Sequence, residues 1–182
     1  MISRLEANET MLVVVDMQER LLPAIHEQER VISNVRLLLR AAKALDLPVV
    51  MTTQYLKGLG PTHAEVAELA PPGTPLDKLT FSCFGSPECK AAVGAAQRNT
   101  LLLCGVEAHI CVLQTGLDAL ALGYQVHVVT DATGSRAAGN AALGHRRLER
   151  AGAVLSSAEM TIYELLGASG TPAFKAMLPH FK

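Results

Sequence analysis

The chain has 182 residues, of which 49% are hydrophobic and 18% charged, and its formal net charge at pH 7 is −1. This composition predicts one globular domain, residues 1–182, that buries roughly 70% of the surface exposed by its unfolded chain. The balanced charge argues against a nucleic-acid partner. The polar start and the lack of any apolar run of about 18 residues argue against a secretory signal and a membrane span, so we expect a cytoplasmic protein.

Short apolar runs rich in β-branched residues alternate with patterns typical of amphipathic helices. The predicted strands cover residues 11–15, 48–53, 100–104, 125–130 and 153–155. The predicted helices cover residues 31–45, 87–97, 109–122, 137–151 and 160–166, with a short terminal helix after residue 170. This alternation predicts a three-layer α/β/α, doubly wound, Rossmann-like domain with a mostly parallel sheet of five to six strands.

Polar residues and glycines mark the ends of the predicted helices. Ser86, which precedes a proline, is a predicted N-cap, and Gly123 is predicted to follow a helix C-terminus. Ser156 and Glu159 form a capping-box pattern before the last apolar helix. The stretch 54–86 is rich in glycine and proline and lacks periodicity. A loop of that length in a compact domain is usually functional.

Candidate reactive residues follow the predicted strands, at the edge where open α/β sheets bind ligands. Cys111 would lie in the first turn of a helix, where partial positive charge and free N–H groups lower a thiol pKa and can bind an oxyanion. The alternative for Cys111 is a buried structural cysteine. Asp16 is either a general base or the cap of a turn, and Lys78, in the long loop, is by itself most simply a surface charge.

The four cysteines do not follow the spacing of a secreted disulfide framework. Cys83, Cys89, Cys104 and Cys111 lie in or beside apolar stretches. We therefore expect free thiols in a reducing compartment, with disulfides as the weaker alternative.

Three segments resemble the isochorismatase-like cysteine hydrolase family: VVVDMQ at 13–18, DKLTFSCF at 77–84 and CGVEAHICVLQTGLDAL at 104–120. The similarity includes QYLKGLGPT at 54–62 and HVVTDATGSR at 127–136, so it covers nearly the whole chain. Within the family, the chain most resembles the isochorismatase-domain-containing hydrolases of unassigned substrate. The resemblance implies the isochorismatase-like hydrolase fold and a homo-oligomer, a dimer or higher.

The resemblance also implies an Asp-Lys-Cys triad, formed here by Asp16, Lys78 and Cys111. In such a triad the thiol attacks an amide-like or ester-like carbonyl of a small molecule, and the aspartate passes the thiol proton to the leaving group. The lysine stabilises the ionised groups, and water hydrolyses the thioester. A cis peptide between Val106 and Glu107 is implied as well, which aims the N–H of Glu107, with that of Cys111, into an oxyanion hole.

Two departures from the family narrow the expected chemistry. Nicotinamidases of this family bind a metal through a D-x-H motif and a further histidine after the second strand. This chain reads TTQYLKG there, and His63 is isolated and predicted to lie at the surface. We therefore expect no metal, no other cofactor and no nicotinamidase activity. Isochorismatases proper lack the nucleophilic cysteine, so Cys111 argues against that activity too.

The substrate pocket and two alternative functions complete the prediction. The candidate pocket residues, each of which could instead pack in the core or a loop, are Gln18, Gln54, Tyr55, Phe81 and Phe84. His109 is more simply a structural residue than a pocket residue. One alternative function is a non-catalytic member that binds a small molecule or scaffolds partners. The other is a thiol redox sensor in which Cys83 resolves an oxidised Cys111.

Overall fold

The computed structural model describes residues 4–181. Its strands are β1 (Thr10–Val15), β2 (Val49–Gln54), β3 (Leu76–Lys78), β4 (Thr100–Val106), β5 (Gln125–Gly134) and β6 (Val154–Ser156). Its helices are α1 (Gln28–Ala44), α2 (Leu56–Leu59), α3 (Ala64–Ala67), α4 (Pro87–Ala95), α5 (Cys111–Ala121), α6 (Ala138–Arg150), α7 (Ala158–Leu166) and α8 (Pro172–Met177). The strands form one parallel sheet in the order β3-β2-β1-β4-β5-β6. The predicted fold class is confirmed.

The core lies on both faces of the sheet. Alternate residues of a strand point to opposite faces, so Leu12 and Val14 pack in one layer with α1, α7 and α8, while Met11 and Val13 pack in the other with α4, α5 and α6. Every residue of β1 and β4 is buried. Because both faces are covered, these strands read as continuous apolar runs. Between residues 4 and 181, no helix is both long and apolar enough to cross a membrane.

The stretch predicted as one irregular loop contains a sixth strand. All five predicted strands are present, and β3 lies at the edge of the sheet, paired with β2. The prediction of a continuous loop is wrong because β3 has only three residues, two of them charged, and shows no apolar run. The same stretch also holds α2 and α3.

The predicted helix ends differ from the observed ones by at most three residues. Ser86 is the N-cap of α4, as predicted, and its hydroxyl accepts a hydrogen bond from the Cys89 N–H at 3.4 Å. The capping box predicted from Ser156 is wrong by one residue. Ser156 is the last residue of β6, and Ser157 accepts the hydrogen bond from the Met160 N–H at 3.2 Å.

Gly105 allows β4 to pass close to β1, and we expect its replacement to destabilise the fold. Its φ is +104°, and a Cβ there would lie 2.1 Å from the Val15 carbonyl oxygen. Gly105→Ala should therefore lower the free energy of unfolding by about 3 kcal/mol or more. Urea denaturation followed by circular dichroism measures the change. As a control, Gly94→Ala in α4, where a Cβ meets no atom within 4 Å, should raise stability by about 0.5–1 kcal/mol. Equal urea midpoints for the two variants would refute this account of Gly105.

Candidate active site

Four neighbouring strands carry the polar residues of the site to one edge of the sheet. Asp16 follows β1, Gln54 ends β2, Lys78 ends β3, and Cys111 opens α5 after β4. The strand order reverses between β1 and β4, and open α/β sheets bind ligands at that crevice. The fold thus brings the predicted Asp16, Lys78 and Cys111 together.

A buried ion pair forms the floor of the site. The side chains of Asp16 and Lys78 are both 0% exposed, and Lys78 Nζ lies 2.7 Å from Asp16 Oδ2. The Thr52 hydroxyl donates to Asp16 Oδ1 at 2.7 Å. Burial alone lowers the pKa of Lys78, but the Asp16 carboxylate and then Cys111 outweigh it and raise that pKa above its usual value. Lys78 is therefore a charged ammonium and not the surface residue that its loop position suggested.

The Cys111 thiol is neutral in the resting site. Cys111 is the first residue of α5 and 5% exposed, and its Sγ lies 3.9 Å from Gln54 Oε1, to which the thiol donates. Burial, reinforced by the Asp16 carboxylate, raises the pKa of this thiol to about 12, while Lys78 acts in the opposite direction. The expectation that the helix N-terminus lowers this pKa is wrong because desolvation dominates.

The turn between β4 and α5 folds around one carbonyl group. The Val106–Glu107 peptide bond is cis, and the Glu107 carbonyl accepts from the N–H groups of Ile110 at 3.0 Å and Val112 at 3.2 Å. Within residues 4–181, the N–H groups of Glu107 and Cys111 have no hydrogen-bond acceptor. The turn that leads into Cys111 thus has two backbone N–H groups that are free to donate.

Side chains of the same turn tie it to the end of β5. The nearly buried Glu107 carboxylate accepts from the Arg136 backbone N–H at 2.9 Å and from Arg136 Nε at 3.2 Å. His109 Nδ1 lies 2.9 Å from the Ser135 hydroxyl. This hydrogen bond helps to hold the turn in place, which agrees with the expectation that His109 is a structural residue rather than a pocket residue. Sequence reasoning missed Arg136, since nothing in the chain pairs it with Glu107 before the fold is known.

The candidate pocket residues occupy different places. Gln18 is fully buried and its amide binds the backbone of Gln54 and Gly60, which places it in the framework beneath the site. Tyr55 and Phe81 are half exposed and follow β2 and β3.

The Phe84 ring points away from the thiol. It packs on Tyr124 with 5.9 Å between ring centroids. Tyr124 lies beyond the C-terminus of α5, whereas Cys111 is at its N-terminus. We therefore do not place Phe84 in the pocket.

The other cysteines are buried, and His63 is partly buried. All four cysteines are free and buried, and burial raises the pKa of Cys83 to about 11. His63 is half-buried, and its backbone N–H donates to the Met17 carbonyl at 2.8 Å, so the predicted surface position is only partly correct. In the described part of the chain, no three His, Cys, Asp or Glu side chains are grouped to hold a metal ion.

Comparison with known proteins places this site in a family. The isochorismatase domain family matches residues 10–160. The secreted isochorismatase effector Isc1 of Phytophthora sojae is 39% identical over 181 residues, covering 97% of this chain and 86% of the relative. Human isochorismatase domain-containing protein 2 is 37% identical over 175 residues, covering 96% and 83%.

Solved structures share the whole fold. MAR1 ribonuclease from Caenorhabditis elegans superposes with a TM-score of 0.92 at 36% identity, covering 98% of this chain and 92% of that one. YcaC from Pseudomonas aeruginosa, with hexane-2,5-diol and covalent acrylamide, gives 0.92 at 28% identity, covering 99% and 92%. YcaC from Escherichia coli, an octameric hydrolase of unknown specificity, gives 0.92 at 26% identity, covering 98% and 91%. With a family match over most of its length and relatives near 40% identity, this chain belongs to the isochorismatase-like hydrolase family.

Proposed function

We propose that the chain is a cysteine-dependent hydrolase that cleaves a small amide-like C–N bond or an ester-like bond through a thioester. The proposal is carried by one observation, the convergence of Cys111 with the buried Asp16–Lys78 ion pair at the point where the strand order reverses. Lys78 Nζ and the Thr52 hydroxyl donate hydrogen bonds to the Asp16 carboxylate, so we assign Asp16 as the base for a thiol that is neutral at rest.

The first half of the reaction forms the thioester. Asp16 takes the thiol proton as Cys111 Sγ attacks the substrate carbonyl carbon, and the negative charge develops on the carbonyl oxygen. The free N–H groups of Glu107 and Cys111 donate to that oxygen. When the C–N bond breaks, Asp16 returns the proton to the leaving nitrogen, which departs as ammonia or an amine.

The second half regenerates the enzyme. Asp16 takes a proton from water as the water oxygen attacks the thioester carbon. The C–S bond breaks, Asp16 returns its proton to Sγ, and the carboxylic acid leaves. Tyr55 and Phe81, half exposed on the segments that follow β2 and β3, line the entrance for the substrate. No metal or cofactor takes part in this scheme.

Two structural neighbours bear on the proposal. The P. aeruginosa protein carries covalent acrylamide, a reagent that adds to nucleophiles, which supports a reactive side chain in this fold. The E. coli protein is an octameric hydrolase, and we propose that this chain is a homo-oligomer too, which sedimentation would test.

A cytoplasmic location stays a prediction. A redox role for Cys83 is disfavoured, since burial raises the pKa of its thiol and so opposes the reactive thiolate.

A substrate panel with adduct mapping tests the proposed function. We expect ammonia or alcohol release from at least one member of a panel of small amides, carbamoyl compounds, ureides and activated esters. Rapid acid quench followed by peptide mapping should locate the acyl adduct on Cys111, and the thiols of Cys83, Cys89 and Cys104 should stay unmodified.

Three outcomes would contradict the proposal. Turnover with the adduct on another residue would contradict the assigned nucleophile. An absence of both turnover and adduct, even with an activated ester, would favour a non-catalytic binding or scaffold role. The nematode neighbour is a ribonuclease, so an RNA oligonucleotide belongs in the panel, and its cleavage by the wild type would contradict the amide or ester assignment.

A further inference from the structure

We propose that Gln54 is a positioning residue of this reaction, a neutral anchor that holds the Lys78 ammonium beside the Cys111 thiol while the thiol proton moves to Asp16. The inference rests on the proposed function and adds a fourth group to it. The main evidence for this role is the position of the Gln54 carboxamide oxygen. Gln54 Oε1 lies 2.8 Å from Lys78 Nζ and 3.9 Å from Cys111 Sγ.

The hydrogen bonds of Gln54 determine which way its side chain points. Gln54 Nε2 donates to the Leu79 carbonyl at 2.8 Å. An ammonium only donates and a carbonyl only accepts, so a flipped amide would face Lys78 with an N–H and Leu79 with an oxygen. The main chain of Gln54 is also held, because its N–H donates to Gln18 Oε1 at 2.7 Å and its carbonyl accepts from Gln18 Nε2 at 3.2 Å. The oxygen therefore stays aimed at the site.

Lys78 needs this second acceptor most when the thiol ionises. In the resting site its ammonium bonds to Asp16 Oδ2 and to Gln54 Oε1. Once Asp16 has accepted the thiol proton, its charge is gone and its hold on the ammonium weakens. A buried ammonium without partners is costly. The Gln54 oxygen keeps it in place, where it can pair with the new thiolate.

The neutrality of Gln54 matters as much as its position. The ionisable groups around the oxygen are Asp16 after β1, Lys78 on β3, Cys83 in the following loop and Cys111 on α5. With a carboxamide, the resting cluster has no net charge. A glutamate at position 54 would add a negative charge beside Sγ and oppose the thiolate.

Two substitutions test the inference in the full-length protein. Gln54→Glu should lower kcat at pH 7 by at least about 100-fold with KM within about threefold of wild type, and should slow alkylation of Cys111 by iodoacetamide at pH 8 by at least about tenfold. Gln54→Met, which keeps the length but removes the acceptor, should lower kcat by at least about tenfold, again with KM nearly unchanged. It also tests the contact if the glutamate variant does not fold.

The control is Gln114→Glu, which adds the same charge to the exposed face of α5 and should keep the wild-type kcat and alkylation rate. Alkylation of Gln54→Glu at the wild-type rate would overturn the inference. So would a rise in KM alone for Gln54→Met, which would make Gln54 an ordinary pocket contact. If the wild type hydrolyses no substrate, the proposed function fails, but the alkylation rates still decide whether Gln54 governs the thiol.

Discussion

Replacing Cys111 by alanine is expected to lower hydrolysis of the best substrate by at least about 10⁴-fold, because the thiol is the proposed nucleophile and no other group of the site can form the thioester. The fold should survive. The change removes only the sulfur of a residue that is 5% exposed at the crevice, so the free energy of unfolding should fall by about 1 kcal/mol. Steady-state kinetics beside thermal unfolding separates the two effects.

Cys104→Ala is the matched control for this variant. Cys104 is a fully buried thiol in β4, and its Sγ lies 3.8 Å from the Val13 carbonyl, in the layer of the core with α1. Its loss should cost stability through a small cavity and leave kcat within about threefold of wild type. Hydrolysis by Cys111→Ala at more than about one hundredth of the wild-type rate would mean that the nucleophile is another group or an activated water.

The parts of the molecule that sequence could predict are those set by local pattern. Apolar runs predicted five of the six strands, and a serine before proline predicted the start of α4. The edge strand β3 was missed because three residues with Asp77 and Lys78 among them carry no apolar periodicity. That strand has a consequence for the site, since it is the element that carries Lys78 into the core beside Asp16.

The pKa shifts of the site could not be predicted from the sequence. They depend on how deeply each side chain is buried, and the elements that bury it are far apart in the chain. From sequence, Cys111 had the environment of a helix N-terminus, which favours a thiolate. In the fold, the Cys111 thiol is buried and the Asp16 carboxylate at the end of β1 lies near it. Burial, and then this carboxylate, raise the pKa of the thiol instead. The roles of Gln54 and Arg136 likewise depend on contacts between residues that are 24 to 57 positions apart in the chain.

The Asp16–Lys78 pair should have the largest effect on stability. Both side chains are fully buried, so Lys78→Met leaves a carboxylate without its counter-charge, which should lower the free energy of unfolding by about 3–5 kcal/mol. Asp16→Asn leaves the ammonium unpaired and should cost a similar amount. The double variant, with neither charge, should recover much of the lost stability in urea denaturation. If its loss equals the sum of the two single losses, the two groups do not interact as the 2.7 Å contact implies.

Asp16→Asn should move turnover and thiol reactivity in opposite directions, whereas Lys78→Met should lower both. Asp16 raises the pKa of Cys111 and Lys78 lowers it. In the wild type, alkylation by iodoacetamide should therefore rise about tenfold per pH unit from pH 7 to 10, because a thiol with a raised pKa stays mostly neutral there. Asp16→Asn should alkylate faster than wild type at pH 8, and Lys78→Met should alkylate more slowly.

Turnover should nevertheless fall by at least about 10³-fold in both single variants. Asp16→Asn gains thiolate but has no group to protonate the leaving nitrogen, and Lys78→Met keeps the carboxylate but loses the charge that stabilises the ionised sulfur. A thiol that becomes more reactive while the enzyme becomes slower identifies Asp16 as the group that carries the proton. Parallel losses of alkylation and turnover in Asp16→Asn would instead mean that the carboxylate only holds the site together.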